Sequence, residues 1–119
     1  MKDIAVIFSH SPHGNNIGRE GLDLAISLTP YTKKIGIFFL SDGIFQFLKK
    51  KNIKEVYSSN YSDRFQALFF LGVRNFYCDY QSLKDRGVLS LKNFLFPIKV
   101  LNTRKFMKKI NDFDHILNF

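Results

Sequence analysis

Cysteine, tryptophan, proline and acidic side chains are all scarce in this chain of 119 residues. Its single cysteine, Cys78, excludes a disulfide within the chain and any metal site built from several cysteines. No apolar run approaches the roughly eighteen residues that a membrane-spanning helix needs. The short apolar run near the start leads into a polar turn without a signal-type cleavage site. We therefore expect a cytoplasmic protein with one domain over residues 1–119.

Acidic residues are outnumbered: there are 18 Lys and Arg, 10 Asp and Glu, and a formal net charge of +8. A basic balance of this kind points first to nucleic-acid binding. The charges are scattered, however, and Lys outnumbers Arg by 13 to 5 while Ala occurs three times. This profile indicates drift in an AT-rich coding sequence. We therefore favour a basic surface that docks an acidic partner or lies near RNA over direct RNA binding.

Phenylalanine, in contrast, is abundant, with 14 in the chain. Each aromatic ring carries on the order of 150–250 Å² of surface. The 14 rings together carry more surface than the core of one small domain easily buries. The middle of the chain holds Phe38, Phe39, Phe45, Phe47, Phe65, Phe69 and Phe70. We expect some rings at the surface, which favours an obligate oligomer over a free monomer. The alternative is the same compositional drift, because Phe codons are also AT-rich.

The first part of the chain predicts the opening half of a βαβ unit. Ile4–Phe8 is an unbroken apolar run, typical of a strand buried on both faces. The polar turn SHSPHGNN follows, from Ser9 to Asn16. Apolar residues then recur at helical spacing up to Leu28. Chemistry in such folds usually lies at loops beyond the carboxyl ends of the strands.

Strands and helices alternate along the rest of the chain. We predict strands at 34–40, 75–80, 98–101 and 115–119, and helices at 44–48, 63–71, 81–86 and 104–111. The last of these helices is expected to turn Phe106, Met107 and Ile110 inward. The alternation predicts an α/β fold. It is a single three-layer domain with a mostly parallel sheet of about five strands and helices on both faces.

The turn after the first strand is the first candidate site. A glycine-containing loop before a helix can hold an anion, but SHSPHGNN matches neither GxxxxGK[ST] nor GxGxxG. His10 and His13 are residue types that act as acid or base or bind a metal. Without a carboxylate or cysteine nearby in sequence, two histidines make a poor site. We predict instead that this loop contacts a partner subunit.

Cys78 is the second candidate, because it lies at the end of a predicted strand and just before a helix. A thiolate there can be a nucleophile, but no His or Lys is adjacent and Asp79 disfavours the thiolate. A lone cysteine in a strand is more often a buried small hydrophobe. Both interpretations stay open at this point. Asp42 and Asp79 also lie at strand ends, with no pattern that pairs them as acid and base.

Four strings in the chain resemble the DsrE/DsrF/DsrH group of small α/β proteins, and its DsrF-like members in particular. They are IAVIFSHSPHGNNIGREGLD, IFFLSDGIFQFL, SLKDRG and DHILNF, and they occur in order from one end of the chain to the other. The resemblance implies a DsrE/DsrF-like domain over residues 1–119. It also implies a subunit of a bacterial sulfur relay.

The resemblance implies partners as well. Such a subunit assembles with its sisters TusB and TusD into a heterohexamer, a dimer of heterotrimers. The complex takes persulfide sulfur from TusA and passes it to TusE, for 2-thiolation of tRNA wobble uridine, so this chain meets tRNA only indirectly. The active cysteine is expected on TusD. This chain is then a non-catalytic structural subunit, without catalytic, cofactor-binding or metal-binding residues and without a cofactor.

The resemblance also bears on the role of Cys78. Counted back from Gly87, the slot of the sister's active cysteine falls on Asp79. In a strand, an offset of one residue turns the side chain to the other face, so the catalytic role is not carried over to Cys78. Two alternatives remain. One is a persulfide-carrying sulfurtransferase that acts through Cys78, and the other is direct docking of tRNA on the basic surface.

Overall fold

The computed structural model describes residues 2–11, 17–32, 34–47, 65–88 and 97–119. The strands are β1 (Asp3–Phe8), β2 (Lys34–Phe39), β3 (Asn75–Asp79), β4 (Lys99–Leu101) and β5 (His115–Asn118). The α-helices are α1 (Ile17–Leu28), α2 (65–70), α3 (Tyr80–Asp85) and α4 (Thr103–Asn111). Two 3₁₀ turns cover Thr29–Tyr31 and Ser41–Gln46. Across these ranges, no helix has the length and apolar character to cross a membrane.

All five strands form one parallel sheet in the order β4-β3-β2-β1-β5. The central strands are the most apolar, and residues 5–8 of β1 are buried. Unbroken apolar runs are expected where helices cover both faces of a parallel sheet. The parallel sheet of about five strands is therefore confirmed.

The larger core lies on the face of the sheet that α1 covers, called the α1 face. Val6 and Phe39 point to this face and pack in one cluster with Leu22 and Ala25 of α1. The same cluster takes in Phe65 and Leu68 of α2, Leu83 of α3, and Ile44 and Phe47. Because side chains alternate along a strand, the residues next to Val6 and Phe39 in sequence point to the opposite face of the sheet.

The opposite face, called the α4 face, carries a smaller core. Phe38 stacks on Tyr77 with ring centroids 5.0 Å apart, and meets Phe106 of α4 edge-to-face at 5.5 Å. Ile110, one helical turn beyond Phe106, is buried in the same cluster. Helices thus lie on both faces of the sheet, which confirms the predicted three-layer α/β architecture.

Two local expectations were wrong. Met107 is 46% exposed, whereas Phe106 and Ile110 are buried. Residues four apart share one side of an α-helix, and the residue after the first lies about 100° further round. The helix expected at 44–48 is instead the 3₁₀ turn Ser41–Gln46, which begins three residues earlier and has its N-cap at Leu40. Residue 48 lies outside the described ranges.

The phenylalanines are hidden better than their number suggested. Eight are buried: Phe8, Phe38, Phe39, Phe47, Phe65, Phe76, Phe106 and Phe113. Phe45, Phe69 and Phe119 are partly buried, and Phe70 is 82% exposed. Two separate cores, one on each face, accommodate more rings than one core would. The expected surface ring is confirmed at Phe70, while Phe94 and Phe96 lie outside the described residues.

Candidate functional site

Ligands in such folds usually bind at the carboxyl edge of the sheet, where the connections after neighbouring strands leave to opposite faces. Here that point lies between β3 and β4, because α3 packs on the α1 face and α4 on the α4 face. The crevice at the ends of β1 and β5 is occupied by Phe119: its N–H donates to the Ile7 carbonyl and its carbonyl accepts from the Ser9 N–H, both at 2.8 Å. A Cβ on Gly21 of α1 would lie 2.5 Å from the Phe119 ring. Protein atoms therefore fill this crevice.

The 3₁₀ turn Ser41–Gln46 lies over the carboxyl end of β1. Gly43 approaches the main chain so closely that a Cβ there would lie 1.8 Å from the Phe8 carbonyl oxygen. Gln46 Nε2 donates to the His10 carbonyl oxygen over 2.9 Å, which ties the turn to the loop after β1. The space above these strand ends is thus filled by main chain.

The two candidate histidines are only partly described. His10 is exposed, and its Nδ1 lies 3.4 Å from Ser9 Oγ. His13 lies outside the described residues. Within the described ranges, no group of three or more His, Cys, Asp or Glu is arranged to hold a metal ion. The partner contact expected of this loop stays a prediction.

A hydrogen-bond network at the carboxyl end of β3 joins four elements. Asp79 is 4% exposed; its Oδ1 accepts from Thr103 Oγ1 at 2.7 Å. Its Oδ2 accepts from both Ser82 Oγ at 2.7 Å and the Ser82 N–H at 3.1 Å. Ser82 Oγ also accepts from the Ser41 N–H at 2.9 Å. We call these four residues the Asp79 network; it caps α3 and ties it to β3, to α4 and to the turn after β2.

Asp42 is engaged separately. Its Oδ1 accepts from Arg86 Nε over 2.9 Å, and Arg86 Nη1 also donates to the Ser82 carbonyl at 3.3 Å. This pair links the turn after β2 to the end of α3. Asp42 and Asp79 therefore each have their own structural partners, and the structure does not bring them together as an acid and base pair.

Cys78 precedes the Asp79 network by one residue and points to the other side of the sheet. Its side chain is 0% exposed and lies in the core of the α1 face, in one cluster with Leu83 of α3. Burial, and secondarily the charge of Asp79, raise the pKa of the Cys78 thiol from 9.0 to about 12. The geometry favours the buried-hydrophobe interpretation of Cys78 over the nucleophile.

We expect the Cys78 thiol of the folded protein to react much more slowly with a disulfide reagent than that of the unfolded chain. The thiolate is the reacting species, and with a pKa of about 12 about one thiol in ten thousand is ionised at pH 8. The measurement is the release of thionitrobenzoate with and without guanidinium. Rapid labelling of the folded protein at the unfolded rate would contradict the assigned burial.

The same shift makes stability depend on pH. The folded thiol keeps its proton at pH values where the unfolded thiol loses it. Its stabilising contribution is therefore complete below pH 9 and is lost as the pH rises towards 12. Over this range the free energy of unfolding of the wild-type protein should fall relative to that of Cys78→Ala. The comparison between the two proteins cancels the contribution of the other titrating groups. Parallel pH profiles of the two proteins would count against the shift.

Sequence reasoning identified Cys78 and Asp79 but missed Ser82 and Thr103, which complete the polar cluster. One signal was available. An Asp three residues before a Ser at a strand-to-helix junction is the spacing of an N-cap. Thr103 had no such signal, because it lies 24 residues from Asp79 in sequence.

Comparisons with known proteins agree with this architecture. Two curated proteins from Buchnera aphidicola, both named Protein TusC, are similar to this chain over 119 residues, which is 100% of each chain. The one from subspecies Baizongia pistaciae is 42% identical and the one from Schizaphis graminum is 40% identical. The crystal structure of the ychN protein from E. coli superposes over 100% of both chains with a TM-score of 0.80 and 20% identity.

The full-length similarity to proteins named TusC confirms the resemblance that the sequence strings indicated. The ychN structure supports the fold alone at its level of identity. A family model described as the DsrE/DsrF-like family matches residues 2–119. On these matches and on its five-stranded parallel sheet, the chain belongs to the DsrE/DsrF-like family.

Proposed function

We propose that this chain is a non-catalytic structural subunit of a cytoplasmic sulfur-relay complex. It assembles with TusB and TusD into a heterohexamer, a dimer of heterotrimers, and contributes one domain over residues 1–119. The complex passes persulfide sulfur from TusA to TusE for 2-thiolation of tRNA wobble uridine. The active cysteine lies on TusD. Similarity to proteins named TusC over the whole chain supports this proposal.

The buried position of Cys78 is the observation that carries the non-catalytic role. A persulfide carrier must expose its sulfur twice, once to the donor and once to the acceptor thiol, because each step is an attack on sulfur. Cys78 is 0% exposed, and its pKa of about 12 disfavours the thiolate. The chain has no second cysteine that can take over this role.

Asp79 supports the same role from the other side of the strand. It stands in the slot that the family resemblance gives to the active cysteine of the sister chain. A carboxylate there cannot carry sulfane sulfur, and this one accepts three hydrogen bonds from Ser82 and Thr103. At this slot the side chain holds helices in place, as expected of a subunit that supplies shape.

Exposed apolar side chains support assembly with other subunits. Phe70 is 82% exposed, Tyr31 74% and Leu71 54%. Leu71 lines a groove at the amino edge of the sheet together with Thr29 and Thr32, which flank Tyr31. Large apolar side chains exposed to solvent are typical of a protein interface.

We expect tRNA thiolation by the assembled complex to stay within about twofold of wild type when Cys78 is replaced by serine or alanine. Alanine is included because a hydroxyl in an apolar site costs about 1–3 kcal/mol and can loosen the fold. Thiolation is measured by retardation of tRNA in a mercury-containing gel. Replacement of the TusD cysteine in the same complex is the positive control.

The mass of each variant complex in solution shows whether the assembly is intact. Loss of thiolation in both Cys78 variants, with assembly unchanged, would contradict the proposal. It would make this chain a persulfide-carrying sulfurtransferase that acts through Cys78.

A further inference from the structure

The solvent-facing side of α4 concentrates positive charge. Arg104, Lys105 and Lys108 are exposed there, and Lys109 lies at its edge with Nζ 5.6 Å from the centroid of the Tyr77 ring. The nine residues of α4 include no acidic side chain. Over the described residues, Arg104, Lys105 and Lys108 form no ion pair with a carboxylate.

This arrangement is unfavourable for the helix itself. Arg104 and Lys105 lie in the first turn, where the helix dipole favours acidic side chains. Arg104 and Lys108 are four residues apart, about 6 Å along the axis, and repel each other. Only the cations of the last turn suit the dipole. Within the described residues, Arg104 and Lys105 therefore have no ion pair or dipole interaction that would stabilise the isolated subunit.

Met107 is the apolar member of the same surface. It is 46% exposed beside Lys108, while the neighbouring Phe106 is buried and anchors the helix to the sheet. Methionine and arginine are enriched in protein interfaces, and a flexible thioether adapts to an apolar partner side chain. A surface that binds RNA bases adds exposed aromatic rings for stacking, and α4 presents none on its exposed side.

We infer that the exposed side of α4, formed by Arg104, Lys105, Met107 and Lys108, docks an acidic protein surface that also presents an apolar side chain to Met107. Charge complementarity determines the sign of the partner, and Met107 favours a protein over an RNA. The inference goes beyond the proposed function, because it assigns a face of the chain and the chemistry of its partner. It holds whether or not that partner belongs to the sulfur relay.

The test places a photo-crosslinking residue in the surface, as Met107→p-benzoylphenylalanine in the full chain, expressed with its sister subunits. Irradiation is followed by mass spectrometry of the cross-linked peptide. A second version of this chain carries the photo-crosslinking residue together with the double charge reversal Lys105→Glu and Lys108→Glu. The matched control reverses Lys2 and Lys84, which are exposed residues outside α4. The total charge changes equally in both, and circular dichroism confirms folding.

We expect a cross-link to a protein segment that carries carboxylates. Its yield should fall at least about tenfold on charge reversal in α4, and stay within about twofold in the control. No cross-link, a cross-link to RNA, or a yield unaffected by reversal in α4 would overturn the inference. A charge-dependent cross-link to an acidic protein outside the relay would support it while counting against the proposed function.

Discussion

An alanine at Gly43 is expected to lower the free energy of unfolding by about 3 kcal/mol or more. Its Cβ would lie 1.8 Å from the carbonyl oxygen of Phe8 and 3.0 Å from the nitrogen of Ser9. These are main-chain atoms, and the Phe8 carbonyl also accepts the Leu40 N–H at 3.0 Å. Relief therefore requires either the turn or the end of β1 to move, which breaks their contact.

Thermal or urea unfolding measures this effect, with Gly87→Ala as the matched control. Gly87 has a φ of +67° and nothing within 4 Å of an added Cβ, so alanine there meets only backbone strain of about 1 kcal/mol. If Gly43→Ala were to prove as stable as Gly87→Ala, the turn would not be seated on β1. If Gly43→Ala does not fold, the expected result is a loss of soluble protein on expression, which is measured instead.

Asp79→Ala has the second-largest expected effect: it should lower the free energy of unfolding by about 2–4 kcal/mol. Alanine removes an acceptor of three hydrogen bonds and leaves the Ser82 N–H and the Thr103 hydroxyl without their partner. The N-cap alone accounts for about 1 kcal/mol of such a loss. The remainder comes from the buried donors and from the lost connection between α3 and α4.

Asp79→Asn is the matched control for this prediction. Its amide oxygen can still accept from Ser82, so we expect about half of the alanine effect. Amide hydrogen exchange should show α3 losing protection first in Asp79→Ala. Asp79→Ala also removes the carboxylate that contributes to the high pKa of the Cys78 thiol, so labelling of this thiol should be faster than in the wild-type protein. Unchanged unfolding in Asp79→Ala would show that the Asp79 network does not hold these elements.

Local patterns predicted the elements well where burial is continuous. The apolar runs of β1 and β2 allow only a strand covered on both faces. They were less reliable where the environment differs around one element. The apolar character of Met107 predicts an inward position, yet the sheet contacts only the side of α4 that carries Phe106 and Ile110. The apolar pattern predicts a helix at 44–48 in place of the turn Ser41–Gln46, because the fit of this turn depends on the main chain of Phe8, which is distant in sequence.

From the sequence alone follow the parallel α/β class, the likeness to the DsrE/DsrF-like family and the presence of a single thiol. Each depends on residue order and short-range periodicity, which a linear pattern records. Tertiary structure decided what Cys78 and Asp79 do. Solvent access and pKa arise from side chains that folding brings together, such as Leu83 in the core cluster of Cys78 and Thr103 against Asp79. Adjacent residues in a strand face opposite sides of the sheet, so one became a core residue and the other a polar cap.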